Sequence, residues 1–129
     1  FMYLLESLED VNGLRHEMVA ALPGQAFRTE KLQRFGYIEI TAQEDTLLLK
    51  AGESLRGHEF HYWDATENGE SCLATKANGS KSWDCVQGSA TLFAGYPHIY
   101  LANEAGQRAA KRFAAACRAF QRAREAARC

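Results

Sequence analysis

The sequence has little proline, little cysteine and no long hydrophobic run. Its 129 residues include two prolines and four cysteines. No apolar stretch approaches the ~20 residues that a membrane-spanning helix needs, and no basic and apolar leader resembles a secretory signal. The net charge of -1 provides no excess of positive charge for binding a polyanion over the whole chain. These absences lead us to expect a cytoplasmic globular domain.

The cysteines lack the spacing of a metal site. They stand at positions 72, 85, 117 and 129 without a C-x-x-C pair, and the histidines complete no zinc-binding pattern. Cys117 and Cys129 fall on one predicted helix, roughly 18 Å apart along its axis, which is too far for a disulfide. We therefore expect reduced cysteines, no bound metal and no cofactor in this chain.

What is present is a globular composition, 47% hydrophobic and 24% charged. The pattern predicts one α/β domain with a mixed β-sheet flanked by helices. Residues 1–8 have the spacing of a short helix, and Asn12-Gly13 marks a turn. Residues 43–54 are expected to form a connection. The predicted strands are Met18–Leu22, 33–41, Arg56–Trp63 and, as the last strand, Ala90–Ala94.

A hairpin is predicted around Asn78-Gly79, because this dipeptide between two strand-like runs favours a tight turn. Opposed residues then sum to 157, so that Cys72 faces Cys85. Their Cα atoms would lie about 4.5 Å apart at a non-hydrogen-bonded pair, within reach of a disulfide. Two reduced cysteines remain the favoured interpretation.

A long helix is predicted over residues 104–127, with Asn103 as its N-cap. Its apolar residues recur at helical spacing, which predicts a stripe docked on the domain. The stripe comprises Ala109, Phe113, Ala116, Cys117 and Phe120. The basic residues of this helix are interpreted as a solvated face rather than as a site for nucleic acid or membrane.

The candidate sites around Arg56–Trp63 depend on the alternation of a strand. Residues 52–59 have the glycine spacing of a phosphate-binding loop but lack its Lys-Ser/Thr, so we reject that reading. His58 and His61 would point to opposite faces, which argues against a two-histidine metal site. Glu59 and His61 would share a face, either as active-site support or as a polar pair closing a sheet edge. His16 is interpreted as a solvated surface histidine.

His98 is the candidate catalytic residue. It follows a predicted strand and the break at Tyr96-Pro97, just before the capped helix. Catalytic groups are often presented at strand ends, and a histidine there suits a general base. The alternative is a histidine that anchors the loop. No serine or cysteine of this chain lies in a nucleophile elbow.

Four stretches resemble one family. Arg56-Gly-His-Glu-Phe-His-Tyr62 resembles the signature of cobyrinic acid a,c-diamide synthases, in their C-terminal glutamine amidotransferase domain. Phe1-Met-Tyr-Leu4 resembles the helix after that family's nucleophile elbow, Cys-Gly-Gly. Leu32-Gln-Arg-Phe-Gly-Tyr37 resembles its Arg-Leu-Gly-Tyr strand, and Ala94-Gly-Tyr-Pro-His98 its Ser-Tyr-x-His segment. The resemblance covers essentially the whole chain.

The resemblance implies that residues 1–129 are the C-terminal portion of a class I glutamine amidotransferase domain. The nucleophile cysteine is then expected just before Phe1, and none of the four cysteines inherits its role. His98 would be the catalytic histidine. Many class I enzymes have a glutamate two residues later, where this chain has Tyr100. The cobyrinic and cobyric acid synthase branch is similar in lacking that glutamate. The resemblance therefore leaves open what orients His98.

The implied reaction of the intact enzyme begins with attack of the missing cysteine on the glutamine carboxamide, with His98 as general base and acid. The ammonia would pass to an N-terminal synthetase domain, where ATP and magnesium activate the corrin a and c carboxylates. The alternatives are a hydrogenobyrinic acid a,c-diamide synthase and a non-catalytic module that binds a partner. The chain alone is expected to be inactive and to self-associate through an exposed edge strand or apolar patch.

Overall fold

The computed structural model describes residues 1–128, so Cys129 and its separation from Cys117 lie outside the described residues. A 3₁₀-helix at Met2–Leu4 opens the chain, and the α-helix α1 spans Glu104–Ala126 near its end. Between them lie eleven strands, β1 to β11. They are, in order, Ser7–Glu9, Arg15–Glu17, Gln25–Arg28, Arg34–Ala42, Ser54–His61, Trp63–Ala65, Cys72–Lys76, Ser82–Cys85, Gln87–Ser89, Leu92–Ala94 and His98–Ile99.

The largest sheet is antiparallel, with the strand order β11-β5-β4-β7-β8. Its two long strands, β4 and β5, alternate buried and exposed residues, as expected for strands with one face on a core. The buried face carries Ile38, Ile40, Leu55 and Ala74, and the segment 43–53 with the start of α1 covers it. The predicted strands at 33–41 and Arg56–Trp63 are confirmed, except that β5 ends at His61 and Trp63 begins β6.

A second, four-stranded sheet has the order β2-β1-β3-β6. It is mixed, because β1 and β3 run parallel while the other pairs are antiparallel. A separate small core lies beneath it, formed by Leu5, Leu22, Ala26, Ala65 and Ala94. Strands β9 and β10 form a two-stranded sheet of their own. The chain is therefore α/β in content, but the expected flanking helices reduce to one α-helix among the described residues.

The hairpin of β7 and β8 has the predicted register, with Cys72 opposite Cys85. Gly79 adopts a φ of 70° in the connecting turn, a conformation that glycine tolerates without the clash of a side chain. Both cysteines are buried and free. Burial raises the pKa of Cys72 to about 11 and that of Cys85 to about 12, so both remain unreactive thiols at neutral pH.

Helix α1 begins as predicted, since the Asn103 side chain accepts a hydrogen bond from the backbone N–H of Gly106. The predicted docked stripe is wrong at Phe113, Cys117 and Phe120, whereas Ala116 is half-buried. Ala109 is buried, but Phe113 and Phe120 are 52% and 65% exposed, and Cys117 is exposed as well. The spacing of these residues is amphipathic, but most of the helix beyond Ala109 is exposed. Helical periodicity reports a stripe, not what lies against it.

Three further expectations fail in short segments. Met18–Leu22 forms no strand, because only Leu22 is buried and the neighbouring strand β2 is Arg15–Glu17. Residues 1–8, predicted to be helical, form the 3₁₀-helix and then β1. Ala90–Ala94 is not the last strand, because β11 follows it at His98–Ile99. Elements of two or three residues are too short for periodicity to define.

No helix in residues 1–128 is both long and apolar enough to cross a membrane.

Arg112 anchors α1 to the loop that covers the core. Its guanidinium forms a two-point ion pair with the Glu53 carboxylate, with Nη2 2.9 Å from Oε1, and Nη1 also donates to the Leu48 carbonyl. This hydrogen bond from Arg112 lowers the pKa of Glu53 to about 2.

The buried cysteines should resist thiol reagents. In a Cys129→Ser background we expect one fast-reacting thiol, Cys117, and slow reaction of Cys72 and Cys85 that requires unfolding. The measurement is the time course of modification in native buffer and in denaturant. Adding Cys117→Ser should abolish the fast phase. Fast modification of more than one thiol in the native chain would contradict the burial of the cysteine pair.

The Glu53–Arg112 pair should stabilise the fold in a pH-dependent way. Because the folded pKa of Glu53 lies below its ordinary value of 4.5, its contribution is present above pH 4.5 and lost as the pH falls toward 2. Arg112→Ala should lower the free energy of unfolding by about 1 kcal/mol at neutral pH, since the pair is partly exposed. Urea unfolding across this range should show the difference shrinking at acid pH. Arg118→Ala, an exposed change on the same helix, should have little effect at any pH; an equal loss would remove the role of the ion pair.

Candidate functional site

The polar side chains of β5 divide between two faces of the sheet. Burial alternates along the strand, with Leu55, Gly57 and Glu59 buried and with Arg56 and Phe60 exposed. His58 and His61 therefore lie on opposite faces, as the strand alternation predicted. Among residues 1–128, no group of three or more histidine, cysteine, aspartate or glutamate side chains is arranged to hold a metal ion.

On the inner face, Glu59 and His61 form a buried pair. His61 Nε2 lies 3.1 Å from Glu59 Oε2, and the Glu59 side chain is only 2% exposed. The indole N–H of Trp83 donates to Glu59 Oε1 at 3.3 Å, and the Arg34 guanidinium stacks 5.0 Å from the Trp83 ring. A buried carboxylate is costly unless hydrogen bonds replace its water, and here the Trp83 indole and the His61 imidazole face its two oxygens.

The hydrogen bonds of His61 restrict where its protons lie. Nδ1 is 2.5 Å from the carbonyl oxygen of Trp63, and a carbonyl only accepts, so Nδ1 carries a proton. Nε2 lies 3.1 Å from the Glu59 carboxyl oxygen Oε2. The pair is thus held as one hydrogen-bonded unit with a fixed ring orientation.

An aromatic stack connects this pair to the segment that carries His98. The His61 ring stacks on Tyr96 with a centroid distance of 4.1 Å and an interplanar angle of 8°. The Phe1 ring also contacts Tyr96 in an edge-to-face arrangement, with a centroid distance of 5.1 Å. The stack therefore links Phe1, the residues just before His98, and the end of β5.

The space beside the buried pair is small. A cavity of about 10 Å³ is lined in part by Glu59, His61, Asn68 and Tyr96, which is about the room one water molecule requires. The Tyr96 hydroxyl and Asn68 Oδ1 are buried there without a hydrogen-bond partner among the described residues. Burial, with the nearby charges of Asp64 and Glu59, raises the pKa of Tyr96 well above its ordinary value. Tyr96 is therefore a neutral phenol, and this cavity is too small for an amino acid.

His98 lies on the opposite, outer face. It is the register partner of His58 across β11 and β5, and directly opposed residues point to the same side of a sheet. An open groove of about 800 Å³ runs along this face. Besides the two histidines, it is lined by Tyr37, Glu39, Arg56 and Tyr100. Because β11 is an edge strand, His98 is accessible from the side of the sheet as well as from the groove.

Gly57 allows β11 to approach this closely. A Cβ atom at Gly57 would lie 2.9 Å from the His98 carbonyl oxygen and 2.9 Å from Ile40 Cδ1. Any side chain here would push β11 away from β5, and His98 with it.

The structure thus brings Glu59 and His61 together and places His98 apart from them, across the sheet. Their roles remain predictions. Gly52–Glu59 enters β5 rather than forming a loop before a helix, and has no lysine to contact a phosphate. His16 is exposed, and its Nε2 lies 3.1 Å from Asp10 Oδ2.

Tyr96 and Trp83 are site residues that sequence reasoning did not single out. The sequence pattern assigned Tyr96 only to a strand break. Its place two residues before the candidate His98 is the signal that could have pointed to it. Trp83 lies opposite Ala74 in the predicted hairpin register, which implied its inward direction but not its contact with Glu59.

Comparisons with known proteins agree on one family. Residues 1–106 match the CobB/CobQ-like glutamine amidotransferase domain. A cobyrinate a,c-diamide synthase of Caldanaerobacter subterraneus subsp. tengcongensis is 33% identical over 123 residues, which are 94% of this chain and 27% of that protein. The Salmonella typhimurium enzyme of the same name is 36% identical over 105 residues, 78% of this chain and 23% of its own length. That of Listeria innocua is 39% identical over 103 residues, 77% and 23% respectively. The chain spans about a quarter of the length of these curated relatives.

Removing the buried carboxylate should destabilise the chain strongly. Glu59→Ala leaves His61 and the Trp83 indole without their acceptor, so we expect a loss of about 3–5 kcal/mol in the free energy of unfolding. Glu59→Gln keeps the shape but turns one acceptor into a donor, with an expected loss of about 1–3 kcal/mol. Urea unfolding measures both. Glu30→Ala, an exposed glutamate, should change stability little. Equal, small losses at positions 59 and 30 would contradict the importance of the buried pair.

Proposed function

Because the chain belongs to the family of CobB/CobQ-like glutamine amidotransferase domains, we propose that residues 1–129 are the C-terminal portion of a class I-type glutaminase domain. Its function is to release ammonia from glutamine for the amidation of a carboxylate. The observation that carries the proposal is the position of His98, on an edge strand and facing an open groove.

His98 is proposed to act as general base and then as general acid. A cysteine thiol N-terminal to Phe1 gives its proton to the imidazole as its sulfur attacks the glutamine carboxamide carbon. The imidazolium then protonates the leaving nitrogen, which departs as ammonia and leaves a thioester. Water, deprotonated by the same histidine, hydrolyses the thioester to glutamate and restores the cysteine. The edge position of β11 leaves room beside His98 for the segment that carries this cysteine.

The aromatic stack is proposed to hold Phe1, which follows the expected cysteine, in a fixed position relative to the segment that carries His98. Phe1 and Tyr96 touch, and Tyr96 lies two residues before His98. The Glu59–His61 pair fixes Tyr96 by stacking, so these residues support the site without reaching the substrate. The chain has Tyr100 where many class I enzymes have the orienting glutamate. Support through the backbone of Tyr96-Pro97 is a physical alternative to that glutamate.

The acceptor of the ammonia is proposed from the relatives, which are named cobyrinate a,c-diamide synthases. The complete protein would amidate the a and c carboxylates of a corrin, with hydrogenobyrinic acid as the alternative substrate. Its ATP and magnesium would bind in an N-terminal synthetase domain. The residues of this chain do not fit them, because the 52–59 stretch lacks the lysine and the serine or threonine that would contact phosphate and magnesium.

A binding role without catalysis is the second candidate, and one observation favours it. The outer face carries a row of exposed aromatic side chains, Phe35, Tyr37, Phe60 and Tyr62, in edge contact with one another or with His58. Exposed aromatic rows of this kind mark contact surfaces. Under this second candidate function, we expect the isolated chain to associate with a second copy of itself through this face.

His98→Asn in the complete gene product separates these candidates. Proton transfer by a positioned base contributes typically ~10²–10⁴-fold, so glutamine-dependent amidation should fall by about that factor. Amidation from ammonium salts bypasses the glutaminase step and should be nearly unchanged. The measurement is product formation with each nitrogen source.

His16→Asn is the matched control and should alter neither rate, since His16 is exposed and far along the chain from the groove. Equal loss with both nitrogen sources would make His98 a structural residue. Undiminished glutamine-dependent activity would favour the non-catalytic role.

A further inference from the structure

Two free cysteines face each other across the hairpin of β7 and β8. Cys72 is directly opposite Cys85 in the register of this antiparallel pair, and directly opposed residues point to the same side of a sheet. Such residues have Cα atoms about 4.5–5.5 Å apart, and a disulfide spans about 4.4–6.8 Å between Cα atoms. The backbone of the hairpin therefore already has the spacing that a disulfide requires.

The surroundings of the two cysteines also suit a disulfide. Cys72 is 0% exposed and Cys85 is 4% exposed, and both belong to the core beneath the large sheet. Burial raises the pKa of the Cys85 thiol, and the nearby Cys72 raises it further, as expected for two thiols that lie close together. A disulfide carries no charge and no hydrogen to donate, so an apolar core can contain it without loss.

A bond at this position would tether the strand that supports the buried carboxylate. Within residues 1–128, β8 pairs only with β7 and forms one edge of the sheet. It carries Trp83, two residues before Cys85, and the Trp83 indole N–H donates to Glu59 Oε1. A strand with one neighbour opens more easily than a central strand, because fewer contacts hold it. A covalent link beside Trp83 restricts the motion that takes the indole away from Glu59.

We propose that Cys72 and Cys85 form a thiol–disulfide switch, in which oxidation locks β8 and holds Trp83 against Glu59. The oxidant is a small disulfide such as oxidised glutathione. The thiolate of one cysteine attacks a glutathione sulfur, breaks the S–S bond and forms a mixed disulfide, and the first glutathione leaves as a thiolate. The second cysteine attacks the protein sulfur of that mixed disulfide, and the second glutathione leaves. The cysteines lose two electrons and two protons, and the two glutathione thiols take them up.

The burial of both thiols sets the rate of this exchange rather than its equilibrium. The attacking thiolate forms when the edge strand opens, and closure of the hairpin then returns the second sulfur to its place opposite the first. The exposed Cys117 should instead react fast and stop at the mixed disulfide, because it lies on α1 rather than opposite a cysteine of the hairpin.

Peptide mapping of the complete gene product tests for the bond. The protein is equilibrated with mixtures of reduced and oxidised glutathione, and its remaining free thiols are blocked before digestion. Trypsin cuts after Lys76 and Lys81, so the two cysteines fall in different peptides that only their disulfide joins. A bond that stabilises the fold is favoured by the fold to the same extent. For a loop of this length we expect the Cys72–Cys85 bond to be about 10- to 100-fold more favoured in native buffer than in urea.

Hydrogen exchange of the same protein measures the lock. In the oxidised protein the amides of β8 should exchange about 10-fold more slowly than in the reduced protein, because the bond opposes local opening, and the amides of α1 should be unchanged. Cys72→Ala is the matched control, since it keeps Cys85 but removes its partner, and it should show neither the linked peptides nor the slower exchange. Cys85→Ala repeats the control from the other strand. Exchange under reducing conditions shows whether each variant keeps the fold.

The proposal is overturned if the linked peptides are no more abundant in native buffer than in urea, or if Cys72 and Cys85 link to Cys117 as often as to each other. A Cys72–Cys85 bond that leaves exchange in β8 unchanged, or makes it faster, would reject the lock. The inference rests on the hairpin and not on the proposed function, so these outcomes are independent of whether the complete protein hydrolyses glutamine.

Discussion

The alternation of side chains along β5 is the constraint on which both faces of the site depend. The pleat of the strand sends Glu59 and His61 inward and Arg56 and His58 outward, and pairing with β4 and β11 prevents the strand from rotating. A slip of one residue would expose the buried carboxylate and bury the arginine. The cost of either change is large, so the register of β5 is strongly determined.

The inner face stabilises what the outer face presents. Glu59 is tolerated in the interior because His61 and Trp83 satisfy it, and His61 in turn stacks on Tyr96 just before β11. Gly57 provides the second link, because its missing side chain lets β11 lie against β5. Through these two contacts the position of His98 depends on residues that never reach the groove.

The distal half of α1 differs from its first turns in leaving most of its side chains exposed. Its first turns are held by the Asn103 cap, by Ala109 and by the pair of Arg112 with Glu53. Beyond Phe113 its aromatic side chains are exposed, although the helix has the spacing of a docked one. Local helical preference and the cap are enough to form such a helix, and tertiary contact is needed only to cover its apolar stripe.

Sequence reasoning was most successful where a local rule acts over many residues. The period-two pattern of 33–41 and Arg56–Trp63 predicted the two long strands, and the turn at Asn78-Gly79 predicted a register that places Cys72 opposite Cys85. It failed in segments of two or three residues. The same reasoning found the shared face of Glu59 and His61, because that follows from alternation alone.

The sequence by itself determined the faces of the long strands, the hairpin register and the start of the helix, since each depends on neighbours within a few residues. Only the tertiary structure decided that His98 pairs with His58 rather than joining Glu59 and His61. It also decided that Tyr96 stacks on His61 and that Phe113 and Phe120 remain exposed. These outcomes depend on contacts between residues far apart in the chain, which local preferences do not encode. The free energy that selects them comes from burial and packing, and it exists only once the elements have met.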